Sequence, residues 1–252
     1  MNRNPRPGPR PTPHQAPRWA ALPTELRSIR CLSFDCYGTL IDWNRGLSEA
    51  LFGVLKRRGQ LLPSGLVDAI HAEEWERLQE LEEFVPYRQL LTESVRDGAQ
   101  SRGVSLSQAE AEEIASSIGR WPPFADTAAA LRRLAARWPL AVLSNVDRAD
   151  LDLTLSSIDA PITHRVTADD VQCYKPEPDH LLALLHEREL EPEELLHCSA
   201  YAQFDLAAAE DLGIPSVYID RRGEPLPEDV TVTMKVPNLT ALADRLLGSG
   251  SR

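Results

Sequence analysis

From Trp121 to the C-terminus the chain alternates short apolar runs with amphipathic stretches, and this alternation restricts its fold more than any other feature. Leu140 to Leu143, Ile162 to Val166, Leu195 to Ser199 and Ser216 to Ile219 read as buried strands, with a last strand expected over Val230 to Val236. Helical spacing runs over Asp126 to Arg137, Asp147 to Ser157, Pro178 to Glu189 and Leu206 to Leu212, and Asn238 is placed to cap a final helix over Leu239 to Leu247. Strands separated by helices pair in parallel through right-handed crossovers. The expected fold is therefore α/β, with a Rossmann-like doubly wound parallel sheet.

One more strand, Ile29 to Phe34, lies upstream. After it, apolar residues recur at helical spacing in Leu47, Leu51, Val54 and Leu55, in Leu66, Val67, Ile70 and Trp75, and in Leu90, Leu91 and Val95. Ser107-x-x-Glu110 signals the start of another helix over Ser105 to Ser117. A helical block inserted after the first strand sits over the carboxyl edge of the sheet as a cap. The expected organisation is a tail over 1–23, an α/β core over 24–42 and 121–252, and a helical cap over 43–120. Within the cap, Glu73, Glu74, Glu76, Glu80, Glu82 and Glu83 read as a solvated helix face. The tail is rich in Pro and Arg and has no acidic residue before Glu25, so it reads as disordered, and it lacks the apolar stretch of a signal peptide.

The net charge of −11 argues against nonspecific nucleic-acid binding, and no apolar run approaches the roughly 20 residues that span a bilayer. The charge does not exclude an anionic substrate, because local fields in a pocket can oppose the global sign. Cys31, Cys36, Cys173 and Cys198 show no CxxC pairing and no metal-ligand spacing, which suits free thiols in a reducing cytoplasm.

Four polar groups follow four of the expected strands: Asp35, Ser144-Asn145, Lys175 and Asp205. Singly, each has a bland explanation: a turn for Ser-Asn, a surface loop for Lys-Pro, a helix N-cap for Asp205. A doubly wound sheet brings all of these strand ends to one edge, where ligands bind. Convergence there is the argument for a site. Gly38 lets the chain turn sharply just after Asp35. Cys36 adjoins Asp35, but alternation points its side chain the other way.

Ser33-Phe34-Asp35-Cys36-Tyr37-Gly38-Thr39-Leu40, Leu143-Ser144-Asn145-Val146, Val171-Gln172-Cys173-Tyr174-Lys175-Pro176 and Phe204-Asp205-Leu206-Ala207 resemble, in order and spacing, the four motifs of the haloacid dehalogenase (HAD) superfamily. With Tyr37 where the phosphatases of that superfamily carry Asp, the chain is similar to the type II 2-haloacid dehalogenase branch. The resemblance implies a metal-independent hydrolase without cofactor, acting on a small acid, and allows a homodimer. It implies Asp35 as a covalent nucleophile, Lys175 favouring its charged form, and Thr39 orienting it. Ser144 and Asn145 would hold a substrate carboxylate or leaving group, Tyr37 would face a halide or simply pack, and Asp205 would position water or Lys175.

The chain also departs from the pattern. Ala200 stands where the phosphatases place a metal-binding acid, and an alanine offers Mg²⁺ no oxygen. The dehalogenases carry Ser and Asn at the positions of Ala200 and Ala202, an aromatic residue at that of Leu181, and an arginine on the early cap helix. Leu66 to Glu76 contains no Arg; Arg77 and Arg88 are the nearest candidates. A Mg²⁺-dependent phosphatase and a non-catalytic binding protein on this fold stay open as alternatives.

Overall fold

The computed structural model describes residues 26–248. The tail expected over 1–23 lies outside the described residues. Six strands form one parallel sheet: β1 Cys31–Asp35, β2 Leu140–Ser144, β3 Ile162–Thr167, β4 Leu195–Ser199, β5 Ser216–Ile219 and β6 Met234–Val236. Their order is β3-β2-β1-β4-β5-β6, and every pairing is parallel. The winding reverses at β1, which has β2 on one side and β4 on the other, so the crevice between β1 and β4 is the switch point where such sheets bind ligands.

The helices are α1 Trp43–Arg57, α2 Leu66–Glu80, α3 Tyr87–Ser101, α4 Gln108–Ala115, α5 Thr127–Ala135, α6 Arg148–Ser157, α7 Ala168–Val171, α8 Asp179–Arg188, α9 Ala207–Asp211 and α10 Leu239–Leu247. Alternation along β1 serves two layers. Leu32 and Phe34 join Leu131 and Leu134 of α5 and Leu239, Leu242 and Leu246 of α10 in one core. Cys31 joins Leu143 of β2, Leu181 and Leu184 of α8 and Ala209 of α9 on the opposite face. With apolar residues buried on both faces, the central strands read as continuous hydrophobic runs. No helix among the described residues is long and apolar enough to cross a membrane.

Helices α1 to α4 fill the inserted segment. The Ser107–Glu110 capping box starts α4 as expected. Helices α2 and α3 pack at close range: a Cβ added at Gly98 would lie 2.7 Å from the Ile70 Cα. The N-terminus of α3 is held by Asp147, beyond β2, whose two carboxylate oxygens accept from the Tyr87 and Arg88 amides at 2.8 and 2.9 Å. These backbone donors have no partner inside their own helix, so the bond ties the inserted helices to the sheet edge and satisfies the helix end at once.

Two elements differ from expectation. The last strand is reduced to Met234–Val236, and Val230 and Val232 instead pack with Tyr218 of β5 in a small apolar cluster. The segment expected to be one helix over Leu206 to Leu212 starts earlier, as a π-helical turn over Ala202–Leu206, and becomes α9 only from Ala207. That wider turn carries Asp205, so Asp205 is not a helix N-cap.

Candidate active site

Asp35 is the last residue of β1 and is buried. Lys175 Nζ donates to Asp35 Oδ1 at 2.7 Å, to Asp205 Oδ1 at 2.7 Å and to the Leu143 carbonyl at 3.2 Å. All three ammonium protons are thus committed. Thr39 donates to Asp35 Oδ2 at 2.8 Å and accepts from the Ala200 amide at 2.9 Å, so its hydroxyl bridges the switch point. Gly38 shapes this turn with φ +90°, where a side chain would be strained and would strike the Tyr201 ring. Arg221 clamps the loop from outside: it donates to the Thr39 carbonyl at 2.9 and 3.1 Å and to Asp126 at 2.9 Å.

Asp205 accepts from Ser199 Oγ at 2.8 Å and lies 3.3 Å from His197 Nε2, while His197 Nδ1 lies 2.8 Å from Ser33 Oγ. An ionised carboxylate only accepts, so the His197 Nε2–H donates to Asp205. One ammonium therefore serves two carboxylates with unequal support. Burial pushes Asp205 up, but Lys175 and His197 outweigh it and hold it well below the usual carboxylate range. Asp35 has fewer donors; burial raises its carboxyl, Lys175 and Thr39 oppose, and the Asp205 charge adds to the rise. Lys175 stays charged: burial pulls it down, and Asp205 and Asp35 together more than compensate.

A cavity opens above Asp35 with room for a molecule of a few heavy atoms, about 80 Å³. Asp35, Lys175, Asp205, Ser144 and Asn145 form its floor; His71, Glu74, Trp75 and Tyr87 reach it from α2 and α3, and Tyr201 and Phe204 close one side. This is a small chamber with aromatic walls over a buried ion triad.

A family model described as haloacid dehalogenase-like hydrolase matches residues 29–213. The chain belongs to the haloacid dehalogenase-like hydrolase family. An (S)-2-haloacid dehalogenase of Pseudomonas putida is 27% identical over 237 residues, which cover 89% of this chain and 99% of that protein. An (S)-2-haloacid dehalogenase of Burkholderia cepacia is 26% identical over 210 residues, 79% of this chain and 86% of its own length. The crystal structure of an L-2-haloacid dehalogenase superposes with a TM-score of 0.75 at 28% identity, covering 88% of this chain and 100% of that one. The L-2-haloacid dehalogenase from Xanthobacter autotrophicus shares the fold with a TM-score of 0.73 at 19% identity, covering 88% of this chain and all of its own.

For this member of the family, the structure brings Asp35, Thr39, Ser144, Asn145, Lys175, Asp205 and Tyr37 to one edge. Several detailed expectations change. Tyr37 lines the cavity, and its hydroxyl is bonded to Thr154 Oγ1 at 2.6 Å, which leaves its ring to face the cavity. Asn145 accepts from the Lys175 amide at 2.8 Å, so its side-chain oxygen holds the lysine loop in place. Neither arginine candidate reaches the cavity: Arg77 pairs with Glu93 and Asp97, and Arg88 pairs with Asp150. Cys36 is buried, and burial holds its thiol well above the usual range. All four cysteines are free.

The largest correction concerns Glu74, expected on a solvated face. It is 8% exposed and lines the cavity. Leu66, Ile70 and Glu74 are the buried residues of α2, spaced by four, and that spacing was the available signal. His197 and Ser199 were also missed; both sit in β4 among apolar neighbours, where a strand pattern does not reveal a polar partner.

The donor set does not fit Mg²⁺. Asp35 and Asp205 are bridged by the Lys175 ammonium, and neither Ala200 nor Tyr37 supplies a carboxylate. Among the described residues no three His, Cys, Asp or Glu side chains are grouped to hold a metal.

Proposed function

We propose that this hydrolase cleaves a carbon–halogen bond in a small 2-halo acyl compound through an ester on Asp35; the relatives' names point to 2-haloacids. The observation that carries the reading is the Lys175 ammonium 2.7 Å from both Asp35 and Asp205, with Thr39 on the other Asp35 oxygen. That arrangement fixes a carboxylate beneath a small cavity, fit for attack on carbon.

An Asp35 oxygen displaces the halide from C2: the new C–O bond forms as the carbon–halogen bond breaks, and the halide leaves with the electron pair. Water then adds to the Asp35 ester carbonyl, its second proton passing to bulk solvent, and the 2-hydroxy product departs with the original Asp35 oxygen. Asp205, held low and accepting from Ser199, His197 and Lys175, anchors the ammonium during both steps. Segment 43–120 acts as the cap that excludes bulk water.

The test is a single turnover in H₂¹⁸O with 2-chloropropionate and 2-chloropropionamide, EDTA present throughout. The expected result is halide release with one ¹⁸O in the peptide containing Asp35, and neither in Asp35→Asn. Halide release with the label only in the product overturns the ester; release that EDTA abolishes overturns the metal-free route.

A further inference from the structure

The cavity has an acceptor end that the chemistry above leaves unused. Glu74 reaches it from α2 and is more than nine-tenths buried. Its Oε1 accepts from the Tyr87 hydroxyl. Tyr87 is the donor, and Glu74 is left as an acceptor. Its second oxygen has no protein hydrogen bond among the described residues. A carboxylate oxygen that faces a cavity takes a donor from whatever fills it.

No cation offsets it. Lys175 is the only Lys or Arg lining the cavity among the described residues, and its protons are spent on Asp35, Asp205 and Leu143. Arg222 lies behind Tyr201, 4.9 Å from that ring, and pairs with Glu224 at 3.0 Å. Burial and the nearby Arg222 lower the His71 pKa, so this ring is uncharged at neutral pH. Burial also pushes the Glu74 carboxyl up to about 7, against the Tyr87 hydrogen bond, so it is ionised in mild alkali. Ser144 also lines the cavity; its Oγ accepts from the Val146 amide at 3.4 Å, and among the described residues its own proton has no protein acceptor.

We propose that Glu74 sets specificity for an uncharged primary carboxamide over the corresponding carboxylate. The Ser144 hydroxyl would donate to the amide carbonyl and Glu74 would accept from the amide NH₂; a carboxylate has nothing to give Glu74 and is repelled by it. The proposal deepens the carbon–halogen reading and rests on it for turnover, though not for binding. With a 2-halocarboxamide, the Asp35 oxygen displaces the halide and water completes the 2-hydroxycarboxamide, the C–N bond staying intact.

The test uses the full chain at pH 8.5 and two unreactive probes of equal shape, propionamide and propionate. Binding is read by isothermal titration and by quenching of Trp43 and Trp75, which line the cavity. One hydrogen bond to a buried charge predicts propionamide binding at least about 10-fold tighter than propionate. In Glu74→Gln, which keeps shape and removes charge, that ratio falls to about 1. Propionate binding as tightly as propionamide overturns the proposal, as does a ratio unchanged in Glu74→Gln or failure of both probes to bind. The wild-type ratio decides by itself if the variant does not fold. Halide release separates the two readings. Release from 2-chloropropionate in preference to 2-chloropropionamide upholds the chemistry and sinks the specificity; release from neither, with the binding ratio intact, does the reverse.

Discussion

Lys175→Met removes the one charge that holds the site together while keeping an unbranched side chain of similar length in a position only 6% exposed. The ammonium leaves two buried carboxylates, Asp35 and Asp205, facing each other uncompensated. Removing one partner of a buried ion pair costs about 3–5 kcal/mol. Proton uptake gives an independent figure. Asp35, which keeps only Thr39 where Asp205 keeps Ser199 and His197, would have to stay neutral, and holding a carboxyl protonated at pH 7 against a reference pKa near 3.9 costs about 4 kcal/mol. The sign with pH follows. A carboxyl raised above its unfolded value penalises folding progressively as pH climbs past that value, so the same cost is only about 1.5 kcal/mol at pH 5. Urea unfolding followed by circular dichroism at both pH values reads it: the deficit of the variant is expected to shrink by more than half from pH 7 to pH 5. A deficit under about 1 kcal/mol at pH 7, or one equal at both pH values, would refute the reasoning that Lys175 neutralises two buried charges.

Arg221→Ala removes two hydrogen bonds to the Thr39 carbonyl and the pairing of Asp126. A loss of about 2–4 kcal/mol in stability is expected, with kcat falling roughly 10- to 100-fold because Thr39 no longer fixes Asp35, and denaturation plus steady-state kinetics check both. Gly98→Ala forces α2 away from α3 at Ile70, one turn before Glu74. Overpacking there costs about 1–3 kcal/mol, seen as a lower Tm, and KM rises with little change in kcat.

The sheet was legible because its strands are short apolar runs separated by helices, and the pattern of Leu140, Leu195 and Ser216 with their neighbours allows few other arrangements. The gathering of Asp35, Ser144, Lys175 and Asp205 was legible for the same reason: parallel strands end together, so a residue's place after its strand fixes its place at the edge. The four motifs then sufficed to identify the family. Which residues of the inserted helices face that edge was not legible. Glu74 stands in a run of glutamates that local composition assigns to solvent, and only the seat of α2 on α3 turns it inward. Arg77 and Arg88 satisfied a search by residue type but are held by Asp97 and Asp150, partners remote in sequence. His197 joins the ion network because β4 lies beside β1, a neighbour that sequence order does not name. Periodicity is a local property and survives in one dimension. Which polar group meets which charge depends on how separate elements dock, and only the tertiary structure decides that.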